Sequence, residues 1–292
     1  MKEILEKIAE VDYYVRWYSS QHDLGIWPSR WVGGTAEFET IAEYQFGDNP
    51  RSINWSATAR TGFHRILKNT RLKETNLAVF LLVDLSHSMD FGTVRVTKRR
   101  LAAEISAVLA HAAWRCGDRV GFIGFGSDVA VEWPLRNPKD YRLLVPQKIL
   151  ETKANGNGRS GLSSALRRLS AKRSLVFLIS DFQEDFEQIE EALKSVAPLH
   201  DVVAIVLWDP REKVLPIKRC ITVLKDLETG DRRTVWFGGR KTASFQERAE
   251  ARERALKELF QRLCMDGIWV HQETNYVKEI SQLFLSRRRL TR

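Results

Sequence analysis

Three apolar segments restrict the possible folds of this chain more than any other feature. Residues 77–84 (LAVFLLVD), 174–181 (SLVFLISD) and 201–209 (DVVAIVLWD) are almost continuously hydrophobic up to a closing aspartate. Segments with helical periodicity separate them, among them residues 97–116 and 185–197. Buried strands that alternate with helices are typical of a parallel sheet covered on both faces. The pattern therefore predicts a doubly wound, mostly parallel α/β domain with helices on both faces of the sheet.

The chain before residue 77 lacks this alternation. Residues 3–18 predict a short amphipathic helix, and the segment after it, rich in Trp, Gly and turn signals, predicts short strands and loops. We expect residues 1–76 to be a small, irregular, β-rich N-terminal segment packed on a main domain of residues 77–292. Within the main domain, two strand-like runs flank the tetrapeptide ETGD, which predicts a β-hairpin insertion near residues 212–240.

The composition is that of an ordinary globular protein and limits its partners only loosely. The 292 residues are 43% hydrophobic and 28% charged, with a formal net charge of +9, so nucleic acid, anionic membrane surfaces and acidic proteins all stay open as partners. The longest apolar run, residues 77–83, is far shorter than the roughly 20 residues of a membrane-spanning helix. The three cysteines lie far apart, without zinc spacing, and predict reduced thiols in a cytoplasmic protein.

Oxygen-bearing side chains follow two of the apolar strands at the points where these strands end. Asp84 closes the first strand and is followed by Ser86 and Ser88, while Asp181 closes the second strand. Ser160 lies in a Gly- and Asn-rich loop just before a predicted helix. Ligands of open α/β sheets bind beyond the carboxyl ends of the strands, where the strand order reverses. If the strands of the two aspartates are neighbours, the five side chains converge on one pocket.

Such a pocket predicts a site for a hard divalent cation. The two carboxylates repel each other, and neither has an obvious basic partner in its own strand or loop. Carboxylate and hydroxyl oxygens are the ligands that Mg²⁺ and Mn²⁺ prefer, and Mg²⁺ commonly keeps several waters. We expect Mg²⁺ (or Mn²⁺) to be bound by Asp84, Ser86, Ser88, Ser160 and Asp181, with one position open for a partner. The alternative is that the aspartates only cap helices or end strands.

The same residues resemble a known family. Asp84-Leu-Ser86-His-Ser88 matches the D-x-S-x-S signature of von Willebrand factor A (vWA) domains; Ser160 falls where that fold usually supplies a threonine, and Asp181 where it supplies the last acidic residue. With FGDNPRSINWSATAR, GDRVGFIGF and DLETGD, nearly the whole chain resembles the bacterial domain-of-unknown-function family number 58. The resemblance implies a vWA (Rossmann-like) fold with a metal-ion-dependent adhesion site. It also implies an adaptor or co-chaperone role beside a MoxR-type AAA+ ATPase, acting on an unknown client.

Three functions compete at this point: a metal-dependent protein-interaction module, a metal-dependent hydrolase that uses the same oxygens, and a non-specific nucleic-acid binder. A hydrolase needs a base or an activated nucleophile beside the metal, and the sequence has no G-x-S-x-G, H-E-x-x-H or P-loop motif. Basic runs such as residues 98–100 predict solvated helix faces, since no continuous basic stripe with interleaved aromatic residues is evident. We therefore expect an interaction module without enzymatic activity.

One polar and aromatic cluster of the N-terminal segment has a separate interpretation. We expect it to lock that segment onto the main domain through a network of arginine and aspartate side chains. Its members are Asp48, Arg51, Asn54, Trp55 and Arg60.

Overall fold

The structure of the protein is a computed structural model that describes most of the chain. The described residues are 36–44, 53–62, 64–74, 77–93, 96–115, 117–136, 140–153, 161–170, 172–213, 220–225, 232–237 and 239–290. The predicted helix at residues 3–18 lies outside them. Val32–Asn76 forms one compact unit, and the described residues from Leu77 onward belong to another. The predicted packing of residues 1–76 on residues 77–292 stays a prediction.

The smaller unit contains an antiparallel strand pair. Strand β1 (Ala36–Glu43) pairs with β2 (Leu67–Glu74) over the full length of both strands. Helix α1 (Trp55–Arg60) lies between them in the chain, and the Asn54 side chain caps it by accepting a hydrogen bond from the Ala57 amide at 2.9 Å. An Asn at this position therefore satisfies one of the amide groups that every helix start leaves unpaired.

The expected polar network of this unit lies only partly within the described residues. Asp48 and Arg51 fall outside them. Of the other three members, Asn54 is the helix cap, while Trp55 and Arg60 are exposed to solvent. The network and its proposed role in joining the two units stay predictions.

The larger unit is built on a six-stranded, mostly parallel sheet, which confirms the predicted fold class. Its strands and those of a separate hairpin are β3 (Ala78–Asp84), β4 (Arg119–Phe125), β5 (Val129–Arg136), β6 (Leu175–Ser180), β7 (Asp201–Leu207), β8 (Cys220–Lys225), β9 (Arg232–Phe237) and β10 (Asp266–Val270). The sheet has the order β10–β7–β6–β3–β4–β5. All neighbours are parallel except β4 and β5. Strands β8 and β9 pair antiparallel, as the predicted hairpin requires.

Helices cover both faces of this sheet. Neighbouring residues of a strand point to opposite faces, and in the central strands both sets of residues are apolar. The helices are α2 (Lys98–Arg115), α3 (Tyr141–Glu151), α4 (Leu162–Arg167), α5 (Phe186–Val196), α6 (Pro210–Lys213), α7 (Gly239–Arg262) and α8 (Tyr276–Leu290). On β3, Val79, Leu81 and Val83 pack with α2, α3 and α8, whereas Phe80 and Leu82 pack with α4, α5 and α7. Every residue of β3 is buried, which explains its continuous apolar sequence.

Helix α3 was not predicted from the sequence. Pro146 lies inside it, and proline ordinarily interrupts a helix because it lacks an amide hydrogen. Its leucines also obscure the periodicity, since Leu143, Leu144 and Leu150 are exposed while Val145 and Ile149 are buried. The hydrophobic pattern therefore does not mark one face of this helix.

None of the described helices combines the length and the apolar character that crossing a bilayer requires.

Candidate metal centre

The two aspartates that close apolar strands lie at the point where the strand order reverses. From β3 the chain passes through α2 to β4 on one side, whereas β6 pairs with β3 on the other side. Asp84 ends β3 and Asp181 directly follows β6, and both are buried. The condition set by the sequence, that these two strands be neighbours, is therefore met. The crevice beyond them is the usual ligand position of an open α/β sheet.

Asp84 is held in one orientation by hydrogen bonds to both carboxylate oxygens. The Ser86 amide donates to Oδ1 at 2.8 Å, and the Ser180 hydroxyl donates to Oδ2 at 2.7 Å. The first contact is an Asx turn, which an Asp makes readily with the residue two positions later. Burial, and then the nearby Asp181 carboxylate, raise the pKa of Asp84 to about 6. The negative charge of this carboxylate is therefore destabilised in the folded chain, and a bound cation would stabilise it.

The two serines of the D-x-S-x-S segment present their hydroxyls side by side. A 3₁₀ helix (His87–Asp90) begins directly after Ser86, and its turn brings Ser86 Oγ to within 3.0 Å of Ser88 Oγ. Two ligands at right angles, each about 2.1 Å from Mg²⁺, are separated by about 3.0 Å. The spacing of the hydroxyls therefore fits two adjacent positions of an octahedral ion.

Asp181 has a different environment, because it already has a cationic partner. Lys98 Nζ lies 2.6 Å from Asp181 Oδ2 and 2.5 Å from Glu212 Oε1. The Gln183 amide donates to Asp181 Oδ1 at 3.2 Å. Burial alone would lower the pKa of Lys98, but the attraction of the two carboxylates outweighs burial and raises it. Asp181 therefore fits the metal ion less well as a direct ligand than Asp84 does.

This ion pair corrects one interpretation of the sequence. The basic run at residues 98–100 was expected to be a solvated helix face, but Lys98 and Arg99 are buried. The expectation was wrong because α2 starts inside the crevice, so that its first two residues contact the loops after β3 and β6. Asp181 has no basic partner in its own strand or loop, and Lys98 of helix α2 supplies one.

Two arginines fix the loops that follow the aspartates. Arg99 donates from Nη2 to the carbonyls of Leu85 at 3.0 Å and Ser86 at 3.2 Å, and it pairs with Asp90. On the other loop, Arg252 of α7 donates from Nε to the Phe182 carbonyl at 3.0 Å. In both loops, backbone carbonyl groups accept hydrogen bonds from the N–H groups of a guanidinium, and these bonds hold the loop in place.

Arg99→Lys should lower the free energy of unfolding by about 2 kcal/mol. Lysine keeps the charge but cannot reach the two carbonyls together, and an unsatisfied buried acceptor costs about 1–3 kcal/mol. Urea denaturation measures the change. The control is Arg167→Lys on the exposed end of α4, which should leave stability almost unchanged. Equal stability of the two variants would contradict a structural role for the Arg99 fork.

A second set of hydrogen bonds connects the loop after the 3₁₀ helix to the segments that follow β7 and β10. Asp209, after β7, accepts from the Thr93 amide at 2.8 Å and from Gln272 Nε2 at 3.0 Å. Its own amide donates to Glu212 Oε2 at 2.9 Å. Burial would raise the pKa of Asp209, but the hydrogen bonds that its carboxylate accepts outweigh burial and lower it. The Lys98–Glu212 pair is therefore continuous with a network that spans the carboxyl edge of the sheet.

The structure thus brings together four of the five predicted ligand residues and adds others. Ser160 lies outside the described residues, so its predicted role stays a prediction.

Sequence reasoning missed Ser180, Lys98 and Glu212. The signals for the first two were a serine at the end of an otherwise apolar strand and a lysine at the start of a helix with an apolar stripe. No local signal marks Glu212. Within the described part of the chain, no three His, Cys, Asp or Glu side chains are arranged to hold a metal ion.

Comparison with known proteins gives one family and several relatives. The family model described as "Protein of unknown function DUF58" matches residues 40–256. The uncharacterized protein Rv1480 of Mycobacterium tuberculosis is 31% identical over 191 residues, which cover 64% of this chain and 59% of that protein. The uncharacterized protein MAV169 of Mycobacterium avium is 28% identical over 125 residues, or 43% of this chain and 73% of that protein. The chain thus spans less than two thirds of the length of the first relative.

Two solved structures resemble this chain at low identity. BatB from Bacteroides thetaiotaomicron is 15% identical, with a TM-score of 0.46 over 73% of this chain and 99% of that chain. The von Willebrand factor type A protein from Catenulispora acidiphila is 14% identical, with a TM-score of 0.33 over 61% of this chain and 41% of that chain.

Proposed function

This chain belongs to the DUF58 family, and we propose that it is a protein-interaction module that uses a divalent cation, Mg²⁺ or Mn²⁺. The observation that supports the proposal most directly is the arrangement of three side chains at the strand-order reversal. There, the Asp84 carboxylate is oriented by the Ser86 amide and interacts with the Ser86 side chain, whose hydroxyl oxygen lies 3.0 Å from that of Ser88. Carboxylate and hydroxyl oxygens form a hard ligand set that suits these ions.

Asp84, Ser86 and Ser88 would hold the ion directly, and Ser160 stays a proposed fourth ligand. Asp181 would contribute mainly its negative charge, because its Oδ2 is already bound to Lys98. The ion supplies a Lewis-acidic position to which a carboxylate of another protein can bind. The rest of the interface would supply area and specificity.

The proposed partner is a MoxR-type AAA+ ATPase, and the proposed role is that of an adaptor or co-chaperone. The family resemblance supports this partner class. The net charge of +9 would speed the encounter with an acidic partner and make the association rate fall with salt. We also propose that the protein has no hydrolase activity, because Lys98 and Glu212, two titratable groups beside the carboxylates, are engaged with each other.

Calorimetric titration with Mg²⁺ and Mn²⁺ tests the metal centre. We expect one weakly bound ion per chain, and we expect Asp84→Ala to weaken its affinity by more than about tenfold, because it removes the one charged direct ligand. Asp140→Ala is the matched control, since Asp140 is exposed and its side chain caps no helix amide. Equal metal affinity of the wild type and Asp84→Ala would refute the assignment.

Co-purification with a MoxR-type ATPase tests the partner. The complex should form in Mg²⁺, dissociate in EDTA and be weakened by Asp84→Ala, while circular dichroism stays that of the folded wild type. A complex that forms equally well in all three cases would place the contact away from the metal.

A further inference from the structure

The side chain of Lys98 carries a full positive charge into the candidate metal centre. It is completely buried, and it contacts Asp181 Oδ2 and Glu212 Oε1 at hydrogen-bond distance. Buried charges are retained only when they are paired. Lys98 therefore already compensates the negative charge of Asp181. From the sequence, a divalent cation was expected to do this.

A divalent ion bound at Asp84 would have to coexist with this ammonium. Both are attracted by Asp181, and they repel each other at short range in a poorly screened interior. The more strongly Lys98 is committed to Asp181, the less negative charge is left for the ion. Lys98 also repels the ion directly. Removing Lys98 should therefore raise the metal affinity, whereas a closer pairing of Lys98 with Asp181 should lower it.

Glu212 is placed to weaken the hold of Lys98 on Asp181. Its carboxylate contacts the same ammonium, and 21% of its side chain is exposed while that of Lys98 is not exposed at all. It belongs to α6, the short helix that precedes the β8–β9 hairpin in the chain. A displacement of α6 would therefore change how the ammonium is divided between the two carboxylates.

We propose that Lys98 is an intramolecular competitor of the divalent cation for Asp181, and that Glu212 moderates this competition by drawing the ammonium toward itself. The inference rests on the proposed metal-binding function and names two residues that set the affinity of the same site. Neither needs to touch the ion, so both act as positioning and affinity-determining residues.

Two substitutions with opposite expected effects test the proposal. Lys98→Met removes the positive charge but keeps an unbranched side chain of similar length, and it should bind Mg²⁺ at least about tenfold more tightly than the wild type. Glu212→Gln removes a negative charge and leaves Asp181 as the one full anion beside Lys98, so it should bind Mg²⁺ at least about threefold more weakly. Local damage to the site would weaken binding in both variants.

The measurements are calorimetric titration with MgCl₂ and the thermal midpoint with and without Mg²⁺. Because the stabilisation of the folded state by a ligand grows with the ratio of ligand concentration to dissociation constant, Mg²⁺ should raise the midpoint of Lys98→Met more than that of the wild type. Arg100→Met is the matched control, since it removes the same charge from the same end of α2, where Arg100 pairs with Glu104 at 3.6 Å. Its Mg²⁺ affinity should stay within about twofold of the wild type.

The outcomes separate this proposal from the metal site itself. Asp84-dependent binding by the wild type, with no tighter binding by Lys98→Met, would leave the metal site standing and overturn the competition. No binding by the wild type or by Lys98→Met would overturn both. If Lys98→Met does not fold, Glu212→Gln decides the matter, and an undiminished Mg²⁺ affinity in that variant overturns the proposal.

Discussion

Replacing Lys98 with methionine should lower the free energy of unfolding by about 3–5 kcal/mol in metal-free buffer, because breaking a buried ion pair by removing one partner leaves an uncompensated buried charge. Here two carboxylates lose their cation, since Lys98 contacts both Asp181 and Glu212. Asp181 is buried and adjoins Asp84 at the strand ends. The repulsion between these groups then has no compensation in the folded state.

Urea denaturation in EDTA at neutral pH measures this loss. Lys194→Met is the control, since Lys194 forms a surface pair with Glu190 at 2.8 Å and its side chain is 58% exposed; exposed pairs contribute little to stability. The double variant Lys98→Met/Asp181→Asn should recover part of the loss, because it removes the buried charge that Lys98 had compensated. If the single and double variants are equally unstable, packing rather than charge explains the effect.

The second large effect concerns Asp118, at the opposite edge of the sheet from the candidate metal centre. Its Oδ1 accepts a hydrogen bond from the Leu77 amide at 2.9 Å, just before β3. Burial raises the pKa of Asp118 from 3.8 to about 7, and the hydrogen bond from Leu77 opposes this only in part. The carboxyl therefore holds its proton in the folded chain at a pH where the unfolded chain has released it.

The sign of the pH effect follows from this raised pKa. The stabilisation is fully present below the unfolded value near pH 4, and it is lost as the pH rises through the folded value near 7. One pKa unit corresponds to about 1.4 kcal/mol, so the change from 3.8 to about 7 corresponds to a loss on the order of 4 kcal/mol. Asp118→Asn keeps an acceptor for Leu77 and has no charge to bury. We therefore expect it to raise the free energy of unfolding at pH 8 by about 2 kcal/mol.

Denaturation curves collected from pH 4 to pH 8 test this prediction. The difference between Asp118→Asn and the wild type should grow with pH and level off above pH 7. Asp140→Asn, at an exposed position before α3, should follow the wild type throughout. A constant difference between Asp118→Asn and the wild type across this range would exclude titration of Asp118 as the cause.

Much of the fold could be predicted because it depends on local hydrophobic periodicity. Strands β3, β6 and β7 lie within the three apolar segments that predicted them, and the hairpin strands β8 and β9 flank the predicted turn in the chain. Helix α3 could not be predicted, since an internal proline and exposed leucines hide its periodicity. Element boundaries also moved, as in β7, which ends at Leu207, two residues before the aspartate that closes its apolar segment.

The candidate site was predictable to the extent that its residues follow strand ends. The sequence by itself determined that Asp84 and Asp181 close apolar strands, and that Ser86 and Ser88 follow the first of them, because burial and turn formation are local properties. Only the tertiary structure decided which groups compensate these charges. Lys98 is 83 residues from Asp181 and 114 residues from Glu212 in the chain. Contacts at such separations depend on the strand order and on where each helix starts, and neither is encoded in a local pattern of polar and apolar residues.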